Sequence, residues 1–166
     1  VYMNAGAYGG EMKQVVERVH FLEADGTPGV MSGEDLAFGY RKSAFTGTSR
    51  VIVAGTFALT PGAPEEIRQR MQELMARRKA SQPLDLPSAG STFKRPQGAF
   101  AGKLIEDCGL RGFTVGGAQI SEKHCGFVIN RGGATCADVV ELTEQVSRIV
   151  KEKTGFVLER EIRVVK

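Results

Sequence analysis

Apolar positions along this chain recur with two different spacings, and the spacings predict its elements. The stretch 15–22 is dense in β-branched and aromatic residues and runs into Asp25-Gly26, which predicts a strand ended by a tight turn. Ser32 with Asp35 three residues later has the spacing of a helix start, so a short helix should deliver Tyr40 and Arg41 just past its end. Residues 50–59 are almost continuously apolar and read as a buried strand. Pro61-Gly62-Ala63-Pro64 then breaks the chain and marks a domain boundary, dividing it into 1–62 and 63–166.

Beyond the break the spacing becomes helical. Over residues 64–79, Ile67, Met71, Leu74 and Met75 share one face, opposite Arg68, Gln72 and Glu73. Arg77-Arg78-Lys79 closes this helix where cations suit the negative end of the dipole, and the cluster is also placed to meet an anion. Residues 81–90, with Pro83 and Pro87, read as an ordered loop. Residues 101–108 form a second helix ended by Gly109, and 113–120 and 126–130 are two strands. Thr135 with Asp138 opens a third helix with the apolar stripe Val139, Leu142, Val146, Ile149 and Val150, and Gly155 ends it. Residues 156–165 alternate as a final strand, Leu158, Ile162 and Val164 on one side, Glu159, Glu161 and Arg163 on the other. Strands and helices mixed in this order predict an α+β fold, and no internal repeat is visible.

Composition narrows the function. At 166 residues the chain can bury a core, and its longest apolar run, 51–59, is interrupted by Gly55 and Thr56 and is too short to span a bilayer. No signal-peptide pattern opens it. Three cysteines, Cys108, Cys125 and Cys136, without Cys-x-x-Cys spacing argue against disulfides or a metal centre and for small core residues in a reduced, cytoplasmic setting. The net charge of +3 suits an anionic small molecule, and the aromatics are not interleaved with basic residues as nucleic-acid binding would require. The chain starts at Val1 within a glycine-rich loop, and so reads as a piece of a longer protein.

The densest chemistry lies in Gly90-Ser91-Thr92-Phe93-Lys94-Arg95-Pro96, a hydroxyl and two cations directly after the proline-rich loop. Extended backbone would put Ser91, Phe93 and Arg95 on one side, Thr92 and Lys94 on the other. The run 98–104 approximates a phosphate loop, but its glycines are one residue too close and Leu104 stands where Ser or Thr is required, which excludes a nucleotide triphosphatase.

Four blocks, in order along nearly the whole chain, resemble the UDP-N-acetylenolpyruvoylglucosamine reductases, the UDP-N-acetylmuramate dehydrogenases that make the muramic acid of peptidoglycan. They are Asn4-Ala5-Gly6-Ala7-Tyr8-Gly9-Gly10-Glu11; Phe38-Gly39-Tyr40-Arg41-Lys42-Ser43-Ala44-Phe45; the Ser91 run continuing into Ala101-Gly102-Lys103-Leu104-Ile105-Glu106; and Leu158-Glu159-Arg160-Glu161-Ile162-Arg163. Between the last two, Gly116-Gly117-Ala118-Gln119 continuing to His124, then Phe127-Val128-Ile129-Asn130, also fits. The absence of tyrosine beyond positions 2, 8 and 40 matches the shorter branch, which lacks a substrate-covering Tyr loop. The resemblance implies the end of an FAD-binding domain of the vanillyl-alcohol-oxidase-like type followed by an α+β substrate-binding domain. It also implies FAD as cofactor, NADPH as reductant, UDP-N-acetylglucosamine enolpyruvate as substrate and a missing N-terminal FAD-binding half, with neither nucleic acid nor membrane as partner.

By resemblance, Ser91 protonates the reduced substrate, while Arg41 and Glu161 polarise its enolpyruvyl group. Asn4, Gly6, Ala7, Tyr8 and Gly9 run beside the flavin, and Tyr40, Lys94, Arg95 and His124 contact the nucleotide sugar or its phosphates. Strand alternation by itself does not choose Glu161 over Glu159. The family often carries a basic residue just before the Gln-Pro ahead of the serine, where this chain has Ser81, with Lys79 two residues earlier. Two other functions fit fewer of these features: a nucleotide-sugar-binding fragment without redox chemistry, and a different flavin oxidoreductase of the same fold.

Overall fold

The glycine-rich opening folds into a minimal hairpin, β1 (Gly6–Ala7) against β2 (Gly10–Glu11), with Gly6 opposite Glu11. Its two turn residues, Tyr8 and Gly9, both have positive φ, as the hairpin turn that matches strand twist demands. Tyr8 in that conformation is strained by roughly 1–2 kcal/mol. Residues 1–165 are described in this computed structural model, and the chain divides into two units, Val1–Met71 and Gln72–Lys166.

In the first unit β3 (Val16–Leu22) is the centre of an antiparallel sheet ordered β4-β3-β5, with β4 spanning Pro28–Ser32 and β5 Val51–Phe57. The expected Asp25-Gly26 turn joins β3 to β4, where the Asp25 carboxylate accepts the Thr27 N–H. The chain's pattern hides β4, since Pro28 and Gly29 open it. Gly29 is admitted because a Cβ there would lie 2.5 Å from the Phe21 ring. Val16, Val19, Phe21, Leu36 and Phe45 form the core, with the rings of Phe21 and Phe45 edge-on at 5.4 Å.

Two expectations for this unit change. The helix expected after Ser32 is a single 3₁₀ turn, Gly33–Leu36, in which Ser32 makes no side-chain cap and Ala37 turns left-handed at φ 45°. The strand expected to be buried is an edge strand, with Val51, Val53 and Phe57 all exposed. An apolar run gives strand propensity, and burial needs a second layer that the run does not encode.

The helix α1 (Pro64–Ser81) forms as its periodicity predicts, but Ile67, Met71 and Met75 are exposed and none of its residues is buried. Periodicity shows which side chains share a stripe, not that another element packs on it. Arg78 and Lys79 do lie in its last turn.

In the second unit, β6 (Ser88–Ser91), α2 (Ala101–Asp107), β7 (Thr114–Val115), β8 (Ala118–Ile120), β9 (Phe127–Asn130) and α3 (Cys136–Thr154) build an antiparallel sheet, ordered β6-β9-β8-β7, packed with two helices. Ile105, Ala118, Ile120, Val128, Leu142, Val146 and Val150 join in one core. Cys108 and Cys125 are buried as expected, and burial pushes the Cys125 thiol up, with Arg111 partly opposing. Cys136 is exposed instead, because the first turn of α3 faces outward there.

The strand expected over 113–120 is a hairpin, β7-β8, that reverses at Gly116 and Gly117. Gly116 has φ 51°, and a Cβ on Gly117 would lie 2.4 Å from the Ala134 nitrogen, so neither position admits a side chain. The turn docks on the start of α3, where the expected capping box is complete: Thr135 Oγ1 accepts the Asp138 N–H and Asp138 Oδ2 accepts the Thr135 N–H. That last bond, helped by the Gly117 N–H, holds the Asp138 carboxyl below its ordinary value of 3.8. A depressed carboxylate stabilises the fold above its unfolded pKa and loses that contribution as pH falls through its folded value. Replacing Asp138 by Ala should therefore lower the thermal midpoint at neutral pH, and the gap to the parent should close on acidification below the ordinary carboxylate range.

The final strand is not formed. The tail makes one antiparallel bridge, Phe93 with Arg160, flanked by Lys94 N–H to Glu159 O at 2.8 Å and Glu161 N–H to Thr92 O at 2.9 Å. Pro96, with no N–H, stops the ladder at one end. An irregularity at Gly90 interrupts it at the other. Leu158 is buried and Val164 exposed, so the alternation holds only beside the bridge.

Candidate functional site

Ser91 owes its position to that irregularity. Ser88 pairs with Ile129 and Ser91 with Phe127, so β6 spends one residue more than β9 over the same span, and Gly90 sits there at φ 85°. Such a bulge re-aims the side chains that follow it. Ser91 is consequently exposed, while Thr92 and Phe93 are both buried, Thr92 Oγ1 accepting the Val128 N–H at 2.9 Å. The simple alternation that grouped Ser91 with Phe93 is thus corrected. Gly90→Ala meets no steric obstacle but is forced into a left-handed conformation, and should cost roughly 1–2 kcal/mol by chemical denaturation.

The second unit brings several expected residues to this corner. Glu161 lies across from Thr92, next to Ser91 in the chain, and is half-buried. Glu159 is exposed and its carboxylate pairs with the Lys94 ammonium, an interaction that occupies Lys94. The rings of His124 and Phe127 meet edge-on at 5.0 Å, and Phe127 is the register partner of Ser91. His124 Nδ1 accepts the Gly126 N–H at 3.0 Å, which leaves Nε2 to carry a proton when the ring is neutral. Arg95 lies over the Phe100 ring, 3.8 Å from its centroid, and donates to Ala99 O.

A cavity of about 370 Å³ opens beside β6. Pro87, Val128, Ile129, Val139 and Ile162 line it together with Ser88, Thr92 and Asn130, so its wall is mainly apolar with a few polar groups, the usual make-up of a ligand pocket. The chain's pattern did not signal it, nor did it signal Lys123, whose ammonium sits 2.5 Å from Lys79 O at the end of α1, close to Ser81.

The first unit holds the remaining candidates. Gly6, Ala7, Tyr8 and Gly9 form an exposed backbone surface, and a Cβ on Gly9 would meet nothing within 4 Å, so a planar group can approach this hairpin closely. Asn4 is not part of that surface: it is buried at 4% exposure. Tyr40 and Arg41 are the central residues of a tight turn closed by Gly39 and Lys42, whose backbones exchange two hydrogen bonds of 3.1 and 3.2 Å. Arg41 has φ 55°, a conformation that such turns normally give to Gly or Asn, and its guanidinium lies 5.3 Å from the Tyr40 ring centroid. Among the described residues no cluster of potential metal ligands occurs.

The chain is thus α+β, with an exposed glycine hairpin in one unit and a hydroxyl, cations and a pocket in the other. The family model of the UDP-N-acetylenolpyruvoylglucosamine reductase C-terminal domain matches residues 82–165, and the chain belongs to this family. The reductase of Limosilactobacillus reuteri is 52% identical over 165 residues, covering 99% of this chain and 55% of that protein, and that of Caldanaerobacter subterraneus is 50% identical over the same length. The crystal structure of UDP-N-acetylenolpyruvylglucosamine reductase from Thermus caldophilus matches with a TM-score of 0.83 at 38% identity, covering 98% of this chain and 57% of that one. The chain thus spans about half the length of the curated relatives it matches.

Proposed function

We propose that this chain is the C-terminal portion of a cytoplasmic bacterial reductase that converts UDP-N-acetylglucosamine enolpyruvate into UDP-N-acetylmuramate for peptidoglycan, using FAD and NADPH. In this reading residues 1–62 complete the FAD-binding domain and 63–166 bind substrate. The observation that carries it is the bulge-exposed Ser91 with Glu161 fastened beside it, in a chain of this family. The Gly6–Gly9 backbone would lie along the flavin, which when bound supplies the hydride.

The chain's own residues handle charge and proton. Hydride addition to one carbon of the enolpyruvyl double bond leaves an electron pair spread over the other carbon and the carboxylate. Arg41, as a planar fork, suits that carboxylate. Glu161 shares in polarising the group. Ser91 then gives its hydroxyl proton to the carbanionic carbon, forming the C–H bond as its O–H bond breaks, and its exposure lets water restore the proton. Tyr40, His124 and Arg95 serve as contacts to the nucleotide sugar.

Two measurements test the reading. The full-length reductase should be yellow, accept one equivalent of hydride from NADPH per flavin, and turn NADPH over beyond that only when the enolpyruvyl substrate is present. A flavin-loaded enzyme indifferent to that substrate would overturn the assignment. Residues 1–166 alone should purify colourless, since their flavin surface is mainly one short hairpin.

A further inference from the structure

Asn4 links the glycine hairpin to the Arg41 turn through a single side chain. Its carboxamide is committed on every side. Nδ2 donates to Glu11 Oε2 at 2.9 Å and to Gly39 O at 3.3 Å, and Oδ1 accepts the Lys13 N–H at 2.9 Å. Two acceptors and one donor around one amide leave a single orientation that satisfies all three. Glu11 is the register partner of Gly6, so this end of the amide belongs to the hairpin. Gly39 is the first residue of the turn that carries Arg41, and its carbonyl also accepts the Lys42 N–H.

The opposite shoulder of the same turn is held from the same short segment. Ser43 is buried, and its hydroxyl donates to Tyr2 O at 2.7 Å. Residues 2 and 4 therefore grip the turn on both sides of Arg41, which stands between them in a left-handed conformation that an arginine does not favour. Asn4 is itself left-handed at φ 45°, a conformation asparagine tolerates better than other side chains do.

We infer that Asn4 is a positioning residue: its amide ties the hairpin proposed for the flavin to the Gly39–Lys42 turn and so sets where the Arg41 guanidinium points. The inference rests on the role proposed for Arg41. It goes beyond it in giving Asn4, with Glu11, a task distinct from touching the cofactor.

The test uses the full-length reductase with Asn4→Asp, alone and combined with Glu11→Gln. Asn4→Asp keeps the acceptor for Lys13 but sets a carboxylate against Glu11 and removes the donor to Gly39. Adding Glu11→Gln restores a donor–acceptor pair with the hairpin, while the Gly39 carbonyl still faces a carboxylate oxygen in place of a donor. The double variant should regain parental flavin affinity and most of the melting temperature that the single variant loses. Its Lys42 amide should still exchange roughly tenfold faster, as expected for one lost hydrogen bond, and its turnover should remain about tenfold low. In an Arg41→Ala background the same pair of changes should cost no further turnover. Unchanged Lys42 exchange, weakened flavin binding as the sole defect, or an undiminished loss of turnover without Arg41 would each overturn the inference. An Arg41→Ala enzyme of normal turnover would instead overturn the role given to Arg41, and Lys42 exchange would still report whether Asn4 holds the turn.

Discussion

In the full-length reductase, Ser91→Ala is expected to leave flavin reduction by NADPH almost untouched and to slow reoxidation by the enolpyruvyl substrate by about 10²–10⁴-fold, the usual worth of a positioned proton donor. The split follows from the order of events. In the proposed mechanism Ser91 would act only once an electron pair has formed on the substrate carbon, and the bulge turns its side chain outward while Thr92 and Phe93 are buried. The hydroxyl makes no fold-supporting contact comparable with that of Thr92 Oγ1, so the variant should melt like its parent. Rapid-mixing measurement of the two half-reactions checks this, and normal reoxidation would end the proton-donor assignment.

The second expectation links residues 120 positions apart in sequence. Arg41→Ala and Glu161→Gln should each reduce turnover by about 10² or more, the scale of losing one group that stabilises developing charge. If both act on the developing enolate as proposed, their combination should lose less than the product of the separate losses, because groups acting on one centre are not additive. Glu159→Gln is the control. It removes the exposed pairing with Lys94, worth little in itself, and should leave turnover close to parental. Full additivity between Arg41 and Glu161, or a larger effect at Glu159, would place Glu161 outside the reacting centre.

What the chain reveals of its own fold depends on how far the partners lie apart. The box of Thr135 and Asp138 with Gly155 beyond is local, and α3 forms as those residues specify. β6 escapes notice because Ser88-Ala89-Gly90-Ser91 has no strand character and becomes a strand only by pairing with β9, far along the chain. The tail misleads in the opposite way. Its alternation is regular, yet only Phe93 offers it a partner, and the ladder ends within three residues. The exposed faces of β5 and α1 follow the same logic, since an apolar stripe names no neighbour.

The candidate site shows a similar division. Ser91, Arg41 and Glu161 were visible as residue types in resembling blocks. The pairing of Glu159 with Lys94, the outward turn of Ser91 and the left-handed backbone of Arg41 were not, because each comes from tertiary bonds. Nothing in Gly39-Tyr40-Arg41-Lys42 announces a positive φ at arginine. The hydrogen bond that Gly39 O accepts from Asn4 and the one that Ser43 donates to Tyr2 O hold the turn on both sides of that residue.

The single bridge between Phe93 and Arg160 also bears on the order in which this unit is expected to assemble. It closes a loop that contains α2, the β7-β8-β9 strands and α3, so its ends meet cheaply only after those elements have packed and shortened the distance between them. Glu161 hangs from this last contact. Helix content and the placing of Glu161 are therefore separate milestones on the folding path: the core can be in place before that carboxylate is.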